Sequence, residues 1–205
     1  MPAPRPRLLV VAGPNGAGKT TITERGLAHE WFHGCEYVNP DLIAQDELGD
    51  WNDPSTVLRA AQLATERREA CLTAGRSLAF ESVFSADDKP DFVRRALSAG
   101  YFVRVFFVGT ERPEINAARV ARRVLQGGHE VPIRKIIDRW ARSIANAAAI
   151  AAEVDRFYVY DNSVDDRDAQ LVLRAASGHI ARQYGEPPAW SHPIISRLSG
   201  NGTEP

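Results

Sequence analysis

The sequence has little that would anchor it to a membrane, a metal or a polyanion. It has two cysteines in 205 residues and no apolar stretch of membrane-spanning length. Cys35 and Cys71 lack the close spacing of a zinc or redox pair, so we expect reduced thiols in a cytoplasmic protein. The formal net charge is −1, without the basic surplus that holds nucleic acid or an anionic membrane. There is no internal repeat. The proline-rich, basic start from Met1 to Arg7 is followed by no signal-peptide core. What is present is ordinary for a globular chain: 44% hydrophobic and 25% charged residues. The length suits one domain with a sizeable core.

One segment is not ordinary. Gly13-Pro14-Asn15-Gly16-Ala17-Gly18-Lys19-Thr20 fits G-x-x-x-x-G-K-[ST], and Thr21 continues it. An apolar run, Leu8 to Ala12, precedes it, and residues able to open a helix follow. The glycines let the backbone wrap an anion, so that its N–H groups point at phosphate oxygens. Lys19 would reach the β- and γ-phosphates, and the Thr20 hydroxyl would hold Mg²⁺. The helix N-terminus adds partial positive charge at the same place. A glycine-rich turn with a chance lysine is the plain alternative, and strand, spacing and helix together count against it. Gly13 through Thr21 are therefore expected to bind a nucleoside triphosphate, ATP with Mg²⁺.

Apolar patterning predicts strands at Leu8–Ala12, Glu36–Asn39, Leu78–Phe80, Tyr101–Val108 and Arg156–Tyr160. It predicts helices from Thr20 to Trp31, Pro54 to Ala74, Lys89 to Ala99, Pro113 to Leu125, Pro132 to Glu153 and Asp168 to Tyr184. Strands alternating with helices imply an α/β fold, a P-loop NTPase-type parallel sheet with helices on both faces. We expect a kinase-like domain over 1–185 and a loosely packed or disordered Pro/Gly-rich tail over 186–205. Ligands of such sheets bind at the carboxyl ends of the strands, so the residues there are the candidates.

After the second strand comes Asn39-Pro40-Asp41. An Asp41 carboxylate beside the P-loop could accept the proton of an attacking hydroxyl or help to hold Mg²⁺ through water; it could equally be a helix N-cap. Glu81 ends the third strand, where it could serve the metal, grip a substrate hydroxyl or simply face water. Seven arginines, Arg112, Arg119, Arg122, Arg123, Arg134, Arg139 and Arg142, lie within about thirty residues. Two helices joined at Gly127-Gly128-His129 look like a lid over about 111–143 that carries arginine to the triphosphate. Most of the seven are expected on a solvated face, with two or three touching phosphate, and His129 is read as structural. Asp161 and Asn162, after the fifth strand, stand where a nucleotide-side loop or a simple turn would be.

The ordered series resembles the zeta-toxin family of P-loop kinases. It comprises Gly13–Thr21, Val38-Asn39-Pro40-Asp41, Phe80-Glu81-Ser82, Arg119 through Gly127-Gly128-His129-Glu130-Val131-Pro132, Arg139-Trp140-Ala141-Arg142-Ser143 and Asp161-Asn162-Ser163. The resemblance runs over about residues 8 to 185. It implies a kinase that uses ATP and Mg²⁺ to phosphorylate the sugar 3′-hydroxyl of UDP-N-acetylglucosamine, with an antitoxin partner that blocks the nucleotide site. It also implies roles: Lys19 and Thr20 for phosphate and Mg²⁺, Asp41 as general base, Glu81 as a substrate-binding acid with Asn39 beside it, and Arg123 and Arg139 as the lid arginines, with Arg119 or Arg142 able to take either place. Two other functions compete. A P-loop ATPase or nucleotide switch would act through a protein partner with no acceptor. A nucleic-acid end kinase would need a basic–aromatic stripe that the chain lacks.

Overall fold

Alternation along the strands divides the core into two faces. The computed structural model describes residues 5–27, 29–49, 53–125 and 131–199. In β1 (Arg7–Ala12), Leu8, Val10 and Ala12 join the larger apolar cluster, and Leu9 and Val11 join a smaller one on the opposite side. Successive strand residues point to opposite faces, so a continuous apolar run is what a strand covered on both sides requires. The larger face is covered by α3 (Pro54–Thr73), α4 (Asp88–Ser98) and α6 (Ile133–Ile150), through Ala60, Ala64, Phe92, Val93, Ile144 and Ala147. The smaller face takes α1 (Lys19–Leu27), with Ile22 packed against the cluster that holds Leu9 and Val11.

The remaining elements are β2 (Glu36–Val38), α2 (Pro40–Ile43), β3 (Leu78–Ser82), β4 (Phe102–Gly109), α5 (Pro113–Leu125), β5 (Arg156–Asp161), β6 (Gln170–Ala176), β7 (His179–Gln183) and α7 (His192–Ile195). The seven strands lie in the order β2-β3-β1-β4-β5-β6-β7. The first five are parallel, with Val11 opposite Glu81 and Ala12 opposite Phe107. Three strand ends therefore meet at the P-loop.

Two expectations fail. The helix expected over Asp168–Tyr184 is a hairpin: β6 pairs antiparallel with β5, and β7 with β6. Its turn is Ser177-Gly178, with φ of 48° and 82°. Two successive positive φ values are what a tight hairpin turn needs, and glycine tolerates them. Burying Val172, Leu173 and Ala175 on the edge of β5 outweighs the helical reading of the same residues.

The loosely packed tail is the second. Over its described part, Trp190, Ile194 and Leu198 are buried in the larger cluster. The Trp190 indole N–H donates to Asp161 at 2.9 Å, and its ring lies so close to Gly109 that a Cβ there would meet it at 2.3 Å. Cys35 and Cys71 are free thiols, and among the described residues no helix is long and apolar enough to cross a membrane.

Candidate active site

The loop between β1 and α1 is held open by backbone choice and by braces from distant elements. Gly16 and Gly18 have φ of 75° and 88°, values that favour glycine. A Cβ on Gly18 would stand 2.3 Å from the Asn162 amide, and one on Gly16 would stand 2.6 Å from the Asn116 carbonyl. Those neighbours are the braces. Asn116, fully buried on α5, donates to the Asn15 carbonyl at 2.6 Å. Asn162 donates to the Ala17 carbonyl at 2.8 Å. Arg119 in turn donates to the Asn162 carbonyl at 2.8 Å. Helix α1 begins at Lys19 with no acidic residue in its first turn, so its unpaired N–H groups and positive end meet no competing carboxylate of their own.

Lys19 donates to the Pro14 carbonyl at 3.1 Å. Its pKa is pushed down to about 8, first by burial, with Arg123 adding to the fall while Glu81 and Asp41 oppose it. A partly buried ammonium with one carbonyl partner fits an incoming anion, which would restore its charged form. Glu81, at the end of β3, accepts from the Thr20 hydroxyl at 3.4 Å and from the Tyr37 phenol at 2.9 Å. Burial, then the Glu81 charge, pushes the Tyr37 phenol upward and keeps it a donor. Asn39 donates to the Tyr37 oxygen at 3.0 Å.

Asp41 is not the N-cap of α2. Asn39 is: its side chain accepts from the Asp41 N–H at 2.9 Å. Pro40 takes the first helical position, where its missing N–H costs nothing. Asp41 is left in the first turn with an exposed carboxylate.

Most of these groups line one cleft of about 440 Å³. Its lining includes Asn15, Gly16, Lys19, Thr20, Asn39, Asp41, Glu81, Arg123 and Arg139. Arg139, from α6, donates to the Asn15 side chain at 3.3 Å. Of the seven arginines, Arg123 and Arg139 line this cleft. Arg119 and Arg122 line a second hollow of about 230 Å³ beside Gly16, Gly18 and Asn162, where both pair with Asp165. Arg112, Arg134 and Arg142 are exposed and line neither. The expected hinge Gly127-Gly128-His129 lies outside the described residues.

The cleft residues that were not foreseen include Thr65, Arg68 and Lys89. Arg68 carried a readable signal. It falls on the stripe Ala60, Ala64, Arg68, Cys71, the buried face of α3. A charge on a buried stripe is unusual enough to ask for a partner. The loop after β3 carries a second mark. Phe84 has φ of 60°, a conformation costing of order 1–3 kcal/mol outside glycine. It is held by its buried ring, by its N–H donating to Ser82 at 3.0 Å and by Asn146 donating to its carbonyl at 3.1 Å.

The zeta-toxin family profile matches residues 49–175, more than half of the chain. That span includes Glu81, Arg123 and Arg139 and begins beyond the P-loop and Asp41. No curated protein matches the chain in sequence. Among solved structures, a chain of the PezAT chromosomal toxin–antitoxin system of Streptococcus pneumoniae aligns with a TM-score of 0.60 at 16% identity, over 96% of this chain and 79% of that one. The AvrRxo1-ORF1:AvrRxo1-ORF2 complex with sulphate ions gives 0.64 at 18% identity, over 86% of this chain and 60% of that one. The same complex with ATP gives 0.65 at 16%, over 96% and 64%. The chain thus spans less than two thirds of the AvrRxo1 chains. At such identities the likeness is one of fold.

Proposed function

The chain belongs to the zeta-toxin family, and from that premise we propose that it is a kinase that moves the γ-phosphoryl group of ATP to a hydroxyl of a small molecule. The acceptor hydroxyl belongs to a sugar, of UDP-N-acetylglucosamine or a related nucleotide metabolite. One observation carries the proposal: the P-loop lysine, an exposed aspartate, a half-buried glutamate and two arginines line a single cleft.

The chemistry follows from those positions. The loop N–H groups, the start of α1 and Lys19 bind the β- and γ-phosphates. Mg²⁺, which neutralises charge on the phosphates, would be held by Thr20 and, through water, by Glu81. Few protein ligands suffice, because Mg²⁺ is usually shared with substrate phosphates and water. Asp41 accepts the hydroxyl proton as the acceptor oxygen bonds to the γ-phosphorus. The bond from that phosphorus to the bridging oxygen breaks, and ADP leaves. Arg123 and Arg139 offset the charge that spreads over the transferred group. The hollow beside Arg119, Arg122 and Asn162 takes the nucleoside end.

The ATP-containing AvrRxo1 complex supports ATP as the donor, and the PezAT system supports an antitoxin as a protein partner. The test is incubation with labelled ATP and candidate acceptors, resolved by mass. A product heavier than the acceptor by one phosphate is the expected result. ATP hydrolysis with no phosphorylated product from any acceptor would overturn it in favour of an ATPase or nucleotide switch.

A further inference from the structure

The two faces of the sheet are covered unequally. On the larger face the tail residues Trp190, Ile194 and Leu198 join Val172, Leu173 and Ala175 of β6 in one cluster. On the smaller face, among the described residues, the cover comes from α1 and the single turn Glu30–Phe32, through Ile22, Trp31 and Phe32. That cluster takes Leu171 from β6 and nothing from β7. Strand pairing gathers arginine on this thinly covered side. Arg104 lies opposite Arg156 across β4 and β5; Arg174 lies opposite Tyr158 on one side and Arg182 on the other. Arg104 shares a strand face with Phe106, and Arg156 with Tyr158. Four arginines far apart in sequence thus step from β4 to the edge strand, and Arg174 and Arg182 are exposed.

No counter-charge accompanies them. Among the described residues no carboxylate lies within ion-pair distance of any of the four. The Arg104 Nε is buried with no hydrogen-bond partner, and its guanidinium lies 3.6 Å from the centre of the Trp31 ring. Burial pushes the Arg104 pKa down, and Arg156 and Arg7 add to the fall against the pull of Tyr158. Crowded like charges disfavour the charged form, and an arriving anion relieves them. Beside the arginines is a hollow of about 270 Å³, lined in part by Ile22, Trp31, Phe32, Phe106 and Tyr160. It shares no lining residue with the phosphate-side cleft. Trp31 belongs both to the hollow and to the arginine row.

An apolar socket beside unpaired cations matches a ligand with apolar anchors flanked by carboxylates. The row crosses three strand spacings, about 14 Å, which about ten residues of helix span. Helices are what cover such sheets, and a helix presents anchors at i, i+3, i+4 and i+7. A single-stranded nucleic acid would also bring negative charge, but its bases need open ring faces to stack on. Here Phe106 and Tyr158 stack on each other at 5.0 Å, and Arg104 lies over Trp31. We propose that this face docks an acidic amphipathic helix of a partner protein, with apolar side chains in the hollow and carboxylates on Arg104, Arg156, Arg174 and Arg182. The partner leaves the cleft open, so it binds with nucleotide in place. This role is separate from phosphoryl transfer.

The test is selection, on the full chain, from a displayed library of helical peptides randomised on one face, with the best peptide then measured by fluorescence anisotropy. Selected peptides should carry Leu or Phe at helical spacing with Asp and Glu beside them, and added salt should weaken them. The double variant Arg174→Glu, Arg182→Glu should bind the best peptide about tenfold more weakly or worse, because like charges then face each other. Both positions are exposed, so its melting temperature should match that of the unaltered chain. Trp31→Ala should weaken the peptide through the hollow, and a non-hydrolysable ATP analogue should leave its affinity unchanged. No selected binder, binders without acidic bias, or equal binding to the charge-reversed variant overturns the surface. Displacement of the peptide by the ATP analogue overturns its placement away from the cleft. A labelled oligouridine that binds more tightly and displaces the peptide, or a dimer of this chain that the charge reversal abolishes, would assign the face to nucleic acid or to a second copy instead.

Discussion

At the scale of single residues, the roles proposed for Lys19 and Asp41 separate binding from chemistry. Asp41 is exposed, and Asn39, not Asp41, caps α2. Asp41→Asn should therefore leave the fold and ATP affinity nearly unchanged while lowering phosphoryl transfer about 10²–10⁴-fold, the usual loss for a general base. A fluorescent ATP analogue measures the first and a single-turnover assay the second. Loss of both together would make Asp41 a metal or structural residue. Lys19 gives a pH dependence. Its pKa of about 8 in the free protein lies below its ordinary 10.5. Between those values the unfolded chain binds more protons at this group than the folded one, so its contribution to stability rises with pH across that window. In the proposed site ATP pairs with the charged form. Above pH 8 nucleotide binding should take up a proton, approaching about one, and affinity should fall as pH rises. Calorimetry at pH 9 in two buffers of different ionisation enthalpy reads this directly. No proton uptake there would remove Lys19 from the phosphate site.

At the scale of elements, α5 and α6 decide how far a lid can extend. The inner part of α6 is core: Ser143, Ile144, Ala147, Ala148 and Ile150 are buried. Asn116 ties the start of α5 to the P-loop. A lid built from these helices would move only at the end of α5 and the start of α6, where Leu125 and Ile133 are 88% and 63% exposed. Those ends carry Arg123 and Arg139. A non-hydrolysable ATP analogue should slow hydrogen exchange at the outer turns of both helices and leave the inner half of α6 as it was. Arg123→Ala and Arg139→Ala should each lower transfer by about a hundredfold or more, in line with arginines that meet transition-state charge, with a smaller effect on ATP affinity. Unchanged exchange together with full activity in both variants would leave the helices a static solvated pair.

At the scale of the whole molecule, the site is shared between distant parts of the chain. The P-loop, the ends of β2 and β3, α3, α5, α6 and the turn after β5 all meet at one edge of the sheet. Mg·ATP bound there should stabilise the entire domain. At a hundred times its dissociation constant, a ligand adds about 2.7 kcal/mol. For a chain of this size that is a rise in Tm of about 5–10 °C. Lys19→Ala should melt near the unliganded protein and show almost no shift with Mg·ATP. A full shift in that variant would place the nucleotide elsewhere.

The sequence by itself determined the glycine-rich loop between β1 and α1 and the parallel half of the sheet, because both are local properties. Eight contiguous residues with glycines at positive φ make a phosphate loop wherever a strand feeds a helix, and an unbroken apolar run buries on both faces. The carboxylates at the ends of β2 and β3 were legible by the same rule of strand ends. Three things only the tertiary structure decided. Leu171-Val172-Leu173 suits a helix or a strand alone, and the free edge of β5 with the Ser177-Gly178 turn selects the strand. The arginines of α5 are alike in sequence; seating Asn116 against the P-loop turns Arg119 to Asn162 and leaves Arg123, one turn on, to line the cleft. Arg68 lies on the buried stripe of a helix, and whether that stripe meets more core or an open cleft depends on how α3 sits over β3. Each choice is made by surfaces far apart in the chain, so no local pattern encodes it.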